Sequence, residues 1–514
     1  NDRKVGRYEA CGTCLEGDCV QYFIFLVLFA LQACMFIVQV GPLTIPDPDM
    51  HPLSTYALAT GQSLNPVAKG KDAHGNTVKQ QSIEGDSRLL TIPGFANVLI
   101  VESISRATQG DSSRETQQSA DDVMADHIVV PDGTHTNRSN AYFPLDYLAQ
   151  AIGLKIAMLV NLPPYAQWQA ARISNSILYA IMGCFAIALL PRWKSLMALL
   201  LVIPPVAFVA SSLMIDGMIV ALSACMVAAI AAAAEGKRLI SLPHTAVLGV
   251  LAWALACEKL PYAFVAVAVL FLPSAVMTVR RKLEFVGIAA VLTGALYLPW
   301  SVLFGSSLAQ VDVSHNVSVA LSHPILTIGK IVHSMLFLGT FAYLPTWYVA
   351  MAAVLGLVWL VAVAYTVKQH WTGQVTLASW AGRHRFLVLG LVIAAAEIAA
   401  FVLFVGLTWN DLASMSRFEV FEGIQGRYAL PILPVFLLGL VVVDNRNGRQ
   451  PALAHRRRGF AGSAIALLHR VDAVIIYDIF AGANRGKYRA FQAFADAQLA
   501  DQGAHGGHVI EMVL

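Results

Sequence analysis

About ten apolar runs, each near the length that crosses a bilayer, constrain this chain more than any other feature of it. They lie near 20–40, 166–190, 195–212, 214–234, 243–257, 260–277, 284–304, 346–367, 385–407 and 427–443. In hydrocarbon every backbone N–H and C=O must be satisfied within the protein, so such runs fold as helices. Composition agrees: 57% of residues are hydrophobic and only 13% charged, whereas a soluble domain carries about 25% charged residues. The expected fold is an all-α integral membrane protein with about ten (roughly 9 to 12) transmembrane helices. A formal charge of +3, without a basic stripe carrying interleaved aromatics, excludes a nucleic-acid partner.

Charge placement predicts sidedness. Arg3, Lys4 and Arg7 precede the first run, and Lys/Arg clusters recur at 191–194, 235–238, 278–282, 368–385 and beyond 445. Positive residues stay cytoplasmic. The expected order is therefore a cytoplasmic segment 1–19, a first span 20–41 retained as an anchor, and an extracytoplasmic loop 42–143. A multi-span bundle follows over 144–444, then a cytoplasmic tail 445–514 that opens basic and continues as an amphipathic surface helix. The loop holds twelve acidic residues against seven basic ones and no cysteine. Two further apolar stretches, 144–160 and 326–343, break the alternation if they cross, and are expected to lie along or re-enter the outer interface. Cys11, Cys14 and Cys19 lack the fourth ligand that a structural zinc site needs.

Ionisable residues near membrane depth are functional candidates by default. IPDPDMH at 45–51 places Asp47, Asp49 and His51 just beyond the first span, on a backbone stiffened by proline. Such a set suits general-base work or, through Asp47 and Asp49, a divalent cation; otherwise it is a solvated helix exit. Asp216 sits between two spans, as a site carboxylate or a helix cap. Lys259 follows Glu258 and either binds an anionic headgroup, pairs with a carboxylate or snorkels. Arg172, early in a span, is a phosphate binder or an interface anchor. Glu422, Gln425, Arg427 and Tyr428 surround the mouth of the last span, where a forked guanidinium suits phosphate and an interfacial Arg–Tyr belt is the alternative.

The IQGRYALPILP element at 424–434 resembles the QGRY-x-x-P signature of a bacterial family of polytopic membrane proteins of unknown function. Pro46, Asp47 and His51 resemble its P-D-x-x-x-H element, and YFPLDYL at 142–148 its Y-P-P-L-Y-Y. Arg172 and Asn175 match an A-R-x-x-N element, and Lys259 and Tyr262 a K-x-x-Y element. Pro48, Leu145–Asp146 and the IDG turn at 215–217 depart from the pattern. The layout is in turn similar to the GT-C class of membrane glycosyltransferases, a likeness of architecture.

That likeness implies a plasma-membrane enzyme moving a sugar from a polyprenyl-phosphate carrier to a cell-envelope glycan or lipid acceptor on the outer face. No cofactor is certain; a divalent cation is the one candidate. Asp47 would be general base, with Asp49 and His51 beside it, and Arg427, Lys259 and Arg172 would hold the donor phosphate. Transport of a lipid-linked saccharide and non-enzymatic envelope assembly are the rivals. Transport needs charged or broken helices at mid-bilayer, and the span centres read as mostly apolar.

The sidedness is directly testable. A cysteine introduced at Ser119 is expected to react with impermeant thiol reagents in intact cells, and one at Gly448 to be protected. Equal labelling of the two would overturn the topology.

Overall fold

In a computed structural model the described residues are 2–304, except 42, 44, 46, 48, 49, 65–68, 72–76, 80–87, 93–132 and 237–238, then 311–336 and 384–441, except 416–418 and 422; positions 357, 360, 361, 364, 368 and 382 are also described. The expectations for Asp49, Glu422, the run 346–367 and the tail 445–514 fall outside them.

Among the described residues, five helices are long and apolar enough to cross a membrane: Val20–Val38, Pro164–Leu189, Asp216–Glu235, Val279–Leu303 and Arg385–Trp409. The first is the apolar part of a longer helix, Asp2–Gln39. Shorter apolar helices run over Leu242–Glu258, Leu260–Phe271 and Gly426–Leu440. The last two are 3₁₀ helices. At about 2.0 Å rise per residue, the 15 residues of Gly426–Leu440 extend about 30 Å, near the hydrocarbon thickness. Pro431 and Pro434 lie inside it and cannot donate to an α-helical ladder.

Asp216–Glu235 is the core helix, with 83% of its apolar window buried, while Val279–Leu303 has 6% buried and lies at the edge. The core helix packs against Pro164–Leu189, Leu242–Glu258 and Gly426–Leu440. Small residues bring the backbones close. A Cβ on Gly217 would meet Ala210 Cα at 2.5 Å, and one on Gly153 would meet Ala170 O at 2.5 Å. In a membrane, where lipid is as apolar as leucine, such close approach supplies helix association.

The expected single span over 195–212 is two short helices, Lys194–Leu201 and Pro204–Ala210. Pro204 and Pro205 carry no N–H and stop the first from continuing. The carbonyls freed at the break are recovered: Gln32 Nε2 donates to Val202 O at 2.8 Å and the Tyr179 hydroxyl to Leu201 O at 2.7 Å. The stretch 144–160 forms a 3₁₀ turn, Pro144–Tyr147, and a 12-residue helix, Leu148–Leu159. At about 1.5 Å per residue that helix is too short to cross. It packs instead on Pro164–Leu189. Within the first loop the helix His51–Thr60 is buried, and two antiparallel ladders are small. Strand β1 (Lys69–Lys71) pairs with β2 (Thr77–Lys79), and β3 (Arg88–Ile92) with β4 (Gly133–Asn137), with Arg88 opposite Asn137.

The first span meets Pro164–Leu189 closely at Gly183, where an added Cβ would stand 2.4 Å from Phe25 Cζ. Overpacking of this kind costs about 1–3 kcal/mol. Gly183→Leu is therefore expected to lower the unfolding temperature in detergent, and Phe25→Ala in the same chain to recover part of the loss. An unchanged midpoint in the single variant would show that the span is not held there.

Candidate functional site

Four charged side chains from four parts of the chain meet at one end of the bundle. Asp216 opens the core helix, Lys259 joins Leu242–Glu258 to Leu260–Phe271, Arg427 lies at the start of Gly426–Leu440, and Asp47 follows the first span. Lys259 Nζ donates to Asp216 Oδ1 at 2.7 Å. Arg427 Nε stands 3.5 Å from Asp216 Oδ2, and its Nη2 donates to Asp47 Oδ2. The result is an alternating row: Lys259, Asp216, Arg427, Asp47. Two acids and two bases cancel, which is how charge is tolerated away from water.

Asp216 is fully buried, and the Arg427 and Lys259 side chains are 7% and 8% exposed, whereas the Asp47 side chain is 24% exposed. Asp47 is thus the open end of the row. Its φ of +55° lies in the left-handed region, costly for a residue with a Cβ and tolerated best by Asp and Asn. Backbone held this way clusters at functional sites.

Aromatic rings wall the cations. Lys259 Nζ lies 4.8 Å from the Tyr428 ring centroid, 5.9 Å from that of Tyr142 and 6.0 Å from that of Phe401. The Arg427 guanidinium carbon stands 5.1 Å from the Tyr428 centroid. Tyr428 is itself fixed, its carbonyl accepting from the Tyr262 hydroxyl at 2.7 Å. Ring faces of this kind attract cations and exclude water.

His51 opens the buried helix beside Asp47. Its Nδ1 and the Tyr147 hydroxyl share a hydrogen bond of 2.9 Å, and its ring stacks on Tyr142. Burial lowers the imidazole pKa to about 4 against the opposing pull of Asp47, so it is neutral at neutral pH. Burial pushes the Asp47 carboxyl up, but the Arg427 charge, His51 and the Arg427 hydrogen bond together outweigh it. The carboxyl is held below the ordinary carboxylate range and is ionised.

The structure thus brings together Asp47, His51, Asp216, Lys259, Arg427 and Tyr428. For Lys259 it realises the carboxylate pairing, and Arg427 is buried rather than part of an exposed belt. Asp216 makes no side-chain cap; its oxygens face the cations. Gln425 contributes its carbonyl to Tyr428 N–H.

Arg172 is employed elsewhere. Its Nε donates to Ser211 O at 2.8 Å, Nη1 to Val40 O at 2.6 Å and Nη2 to Phe36 O at 3.0 Å. Asn175 Nδ2 donates to Ala210 O and Ser212 O. The A-R-x-x-N element therefore satisfies carbonyls at the C-terminal ends of two helices, Asp2–Gln39 and Pro204–Ala210, where cationic donors are favoured.

Two carboxyls escaped the sequence reasoning. Glu397, at the middle of Arg385–Trp409, accepts from Val265 N–H at 3.1 Å through Oε1. A single acid inside that apolar run was a visible signal. Asp146 is 1% exposed beside Glu258, and only its departure from a motif marked it. Among the described residues no group of three or more His, Cys, Asp or Glu is arranged to hold a metal, and Asp49, half of the proposed cation pair, is not among them.

A polytopic helical membrane protein with a buried charge row at one bundle end is the class that fold and site define. Residues 27–436 match the family model of the predicted membrane proteins DUF2142, and the chain belongs to that family. The match takes in every member of the row. No curated protein and no solved structure matches the chain.

The titration of His51 sets a pH dependence. Its folded pKa, about 4, lies below the ordinary 6.5. The unfolded chain then binds the proton more readily, so stability is complete above the ordinary value and declines as pH falls towards the folded one. Thermal unfolding in detergent is expected to be flat above pH 6.5 and to fall between 6.5 and about 4. His51→Gln should flatten that limb. An unaltered acid limb in the variant would assign it to other groups.

Proposed function

We propose that the protein is a membrane glycosyltransferase that moves a sugar from a polyprenyl-phosphate carrier to a cell-envelope glycan or lipid acceptor on the outer face of the bacterial plasma membrane. The observation that carries this reading is the partly exposed, ionised Asp47 held on the buried Arg427, with Asp216 and Lys259 behind it. It supplies a base and a phosphate-binding cation within one contact.

In the proposed reaction Asp47 takes the proton of the acceptor hydroxyl as its oxygen bonds to the anomeric carbon. The bond from that carbon to the phosphate oxygen breaks, and the electron pair leaves with the lipid phosphate. Arg427 and Lys259 stabilise that charge in a water-poor setting, where fixed cations act most strongly. Phosphate and Asp47 compete for the same guanidinium, so donor binding would free the carboxylate to act as base. Asp216 orients both cations. His51, neutral and bound to Tyr147, would steady Asp47. Arg172 has no part in the chemistry on this reading; its role is to fasten helix ends.

A second reading, transport of a lipid-linked saccharide, draws on Glu397 at the centre of a span and on the helix broken at Pro204. Both are features that alternating-access proteins use. Here Glu397 accepts from Val265 N–H through Oε1, and the carbonyls at the break are taken by Gln32 and Tyr179.

The test is sugar transfer by purified protein from a labelled polyprenyl-phosphate sugar. Asp47→Asn is expected to lower transfer about 10²-fold or more with unchanged folding. Arg427→Lys should weaken donor use more than acceptor use, since it keeps the charge and loses the fork. Asp132→Asn should be nearly neutral. Absence of any Asp47-dependent transfer, with movement of the intact donor across vesicles, would establish transport in its place.

A further inference from the structure

Asp146 ends the motif YFPLD on a 3₁₀ turn, and Glu258 is the last residue of Leu242–Glu258. They are 1% and 2% exposed. The turn Pro144–Tyr147 packs on Leu242–Glu258 and sets the two carboxyls beside each other, and none of their four oxygens has a hydrogen-bond partner. Asp146 N–H donates to Phe143 O, and aromatic rings cluster on Phe143. The Phe143 ring lies 5.6 Å from Trp253, 6.2 Å from Tyr297 and 6.1 Å from Trp300. The titratable and charged groups near the pair are Lys259, Asp216, Cys257 and Tyr297.

Two ionised carboxylates cannot stay in contact in such a place. Buried and without a hydrogen-bond donor from another residue, their repulsion would be little screened. A divalent cation would answer the repulsion, but hard cations take six or more oxygen ligands, and a third ligating group is missing among the described residues. One proton answers the repulsion and supplies the missing partner: it turns the contact into a charge-assisted O–H···O⁻ bond and leaves one negative charge beside Lys259.

We propose that Asp146 and Glu258 form a proton-binding site, a carboxyl pair that shares one proton at neutral pH immediately behind the Lys259–Asp216 ion pair. No bond to carbon is made or broken there. The proton comes from solvent and is bound on folding. The site stands on its own contacts and holds or fails independently of the proposed sugar transfer.

Infrared difference spectroscopy of the full chain in lipid nanodiscs at neutral pH tests it. The wild type is expected to show the carbonyl stretch of a protonated carboxylic acid, shifted in D₂O, which disappears in Glu258→Gln. Glu258→Gln should keep the wild-type unfolding temperature, because its amide N–H can donate to Asp146 as the acid did. Glu258→Ala should lower it. Glu397→Gln, run beside them, identifies any band owed to the other buried acid. A wild type whose acid-carbonyl region is unchanged by both Glu258→Gln and Asp146→Asn would overturn the proposal. So would an acid band that appears only after chelation of divalent cations, which would make the pair a metal site.

Discussion

Asp216 is a fully buried carboxylate, and its two cationic neighbours are what make it tolerable. Lys259 approaches to 2.7 Å and Arg427 to 3.5 Å. Removing a buried member such as Lys259 leaves a charge uncompensated, at a cost of about 3–5 kcal/mol, whereas the partly exposed Asp47 is compensated by water. The row therefore fixes three helix starts to one another: the core helix, the 3₁₀ helix after Lys259 and the one at Gly426. Asp47 is the fourth member, and through it the segment after the first span is tied to the same point. Elsewhere the bundle is held by shape, as at Gly153 and Gly217. Here it is held by charge.

The remaining polarity follows one rule. At several points where the described backbone departs from an unbroken α-helix, a side chain from another element takes the orphaned group. Gln32 and Tyr179 do so at the Pro204 break, Arg172 and Asn175 at two helix ends, and Glu397 at Val265. With no water in the hydrocarbon, each unsatisfied group would cost several kcal/mol. Glu397 thus reads first as a backbone acceptor, and a charge at a span centre is weak evidence for transport when its partner is a fixed N–H.

Asp47 differs from every other member of the row in being partly open and in holding a left-handed backbone. Strain of that kind persists only where surrounding contacts over-determine it. Arg427 and the adjacent buried His51 supply those contacts. A base kept on a guanidinium is protected from protonation, and the proposed transfer uses the same guanidinium for phosphate. Positioning and chemistry are then two uses of one contact.

The helical, membrane-spanning character of the chain was readable in the sequence, because the physics that specifies it is local. Apolar length dictates helices in hydrocarbon, prolines mark helix starts and breaks, and charges stranded near membrane depth mark candidates. Asp47, His51, Asp216, Lys259 and Arg427 all stood out on those grounds. Their pairing did not. Asp47 and Arg427 are separated by 380 positions, and periodicity carries no information about which helix end meets which. For the same reason Arg172, as polar and as deeply placed as Arg427, could not be told from a phosphate binder until its donors were found on the carbonyls of Ser211, Val40 and Phe36. Asp146 was invisible as a partner of Glu258, since burial and contact belong to the packed state. Sequence decided that the chain is a helical membrane protein and which residues are costly; tertiary structure alone decided which of those costs are offset by one another, because electrostatic compensation depends on distance in space.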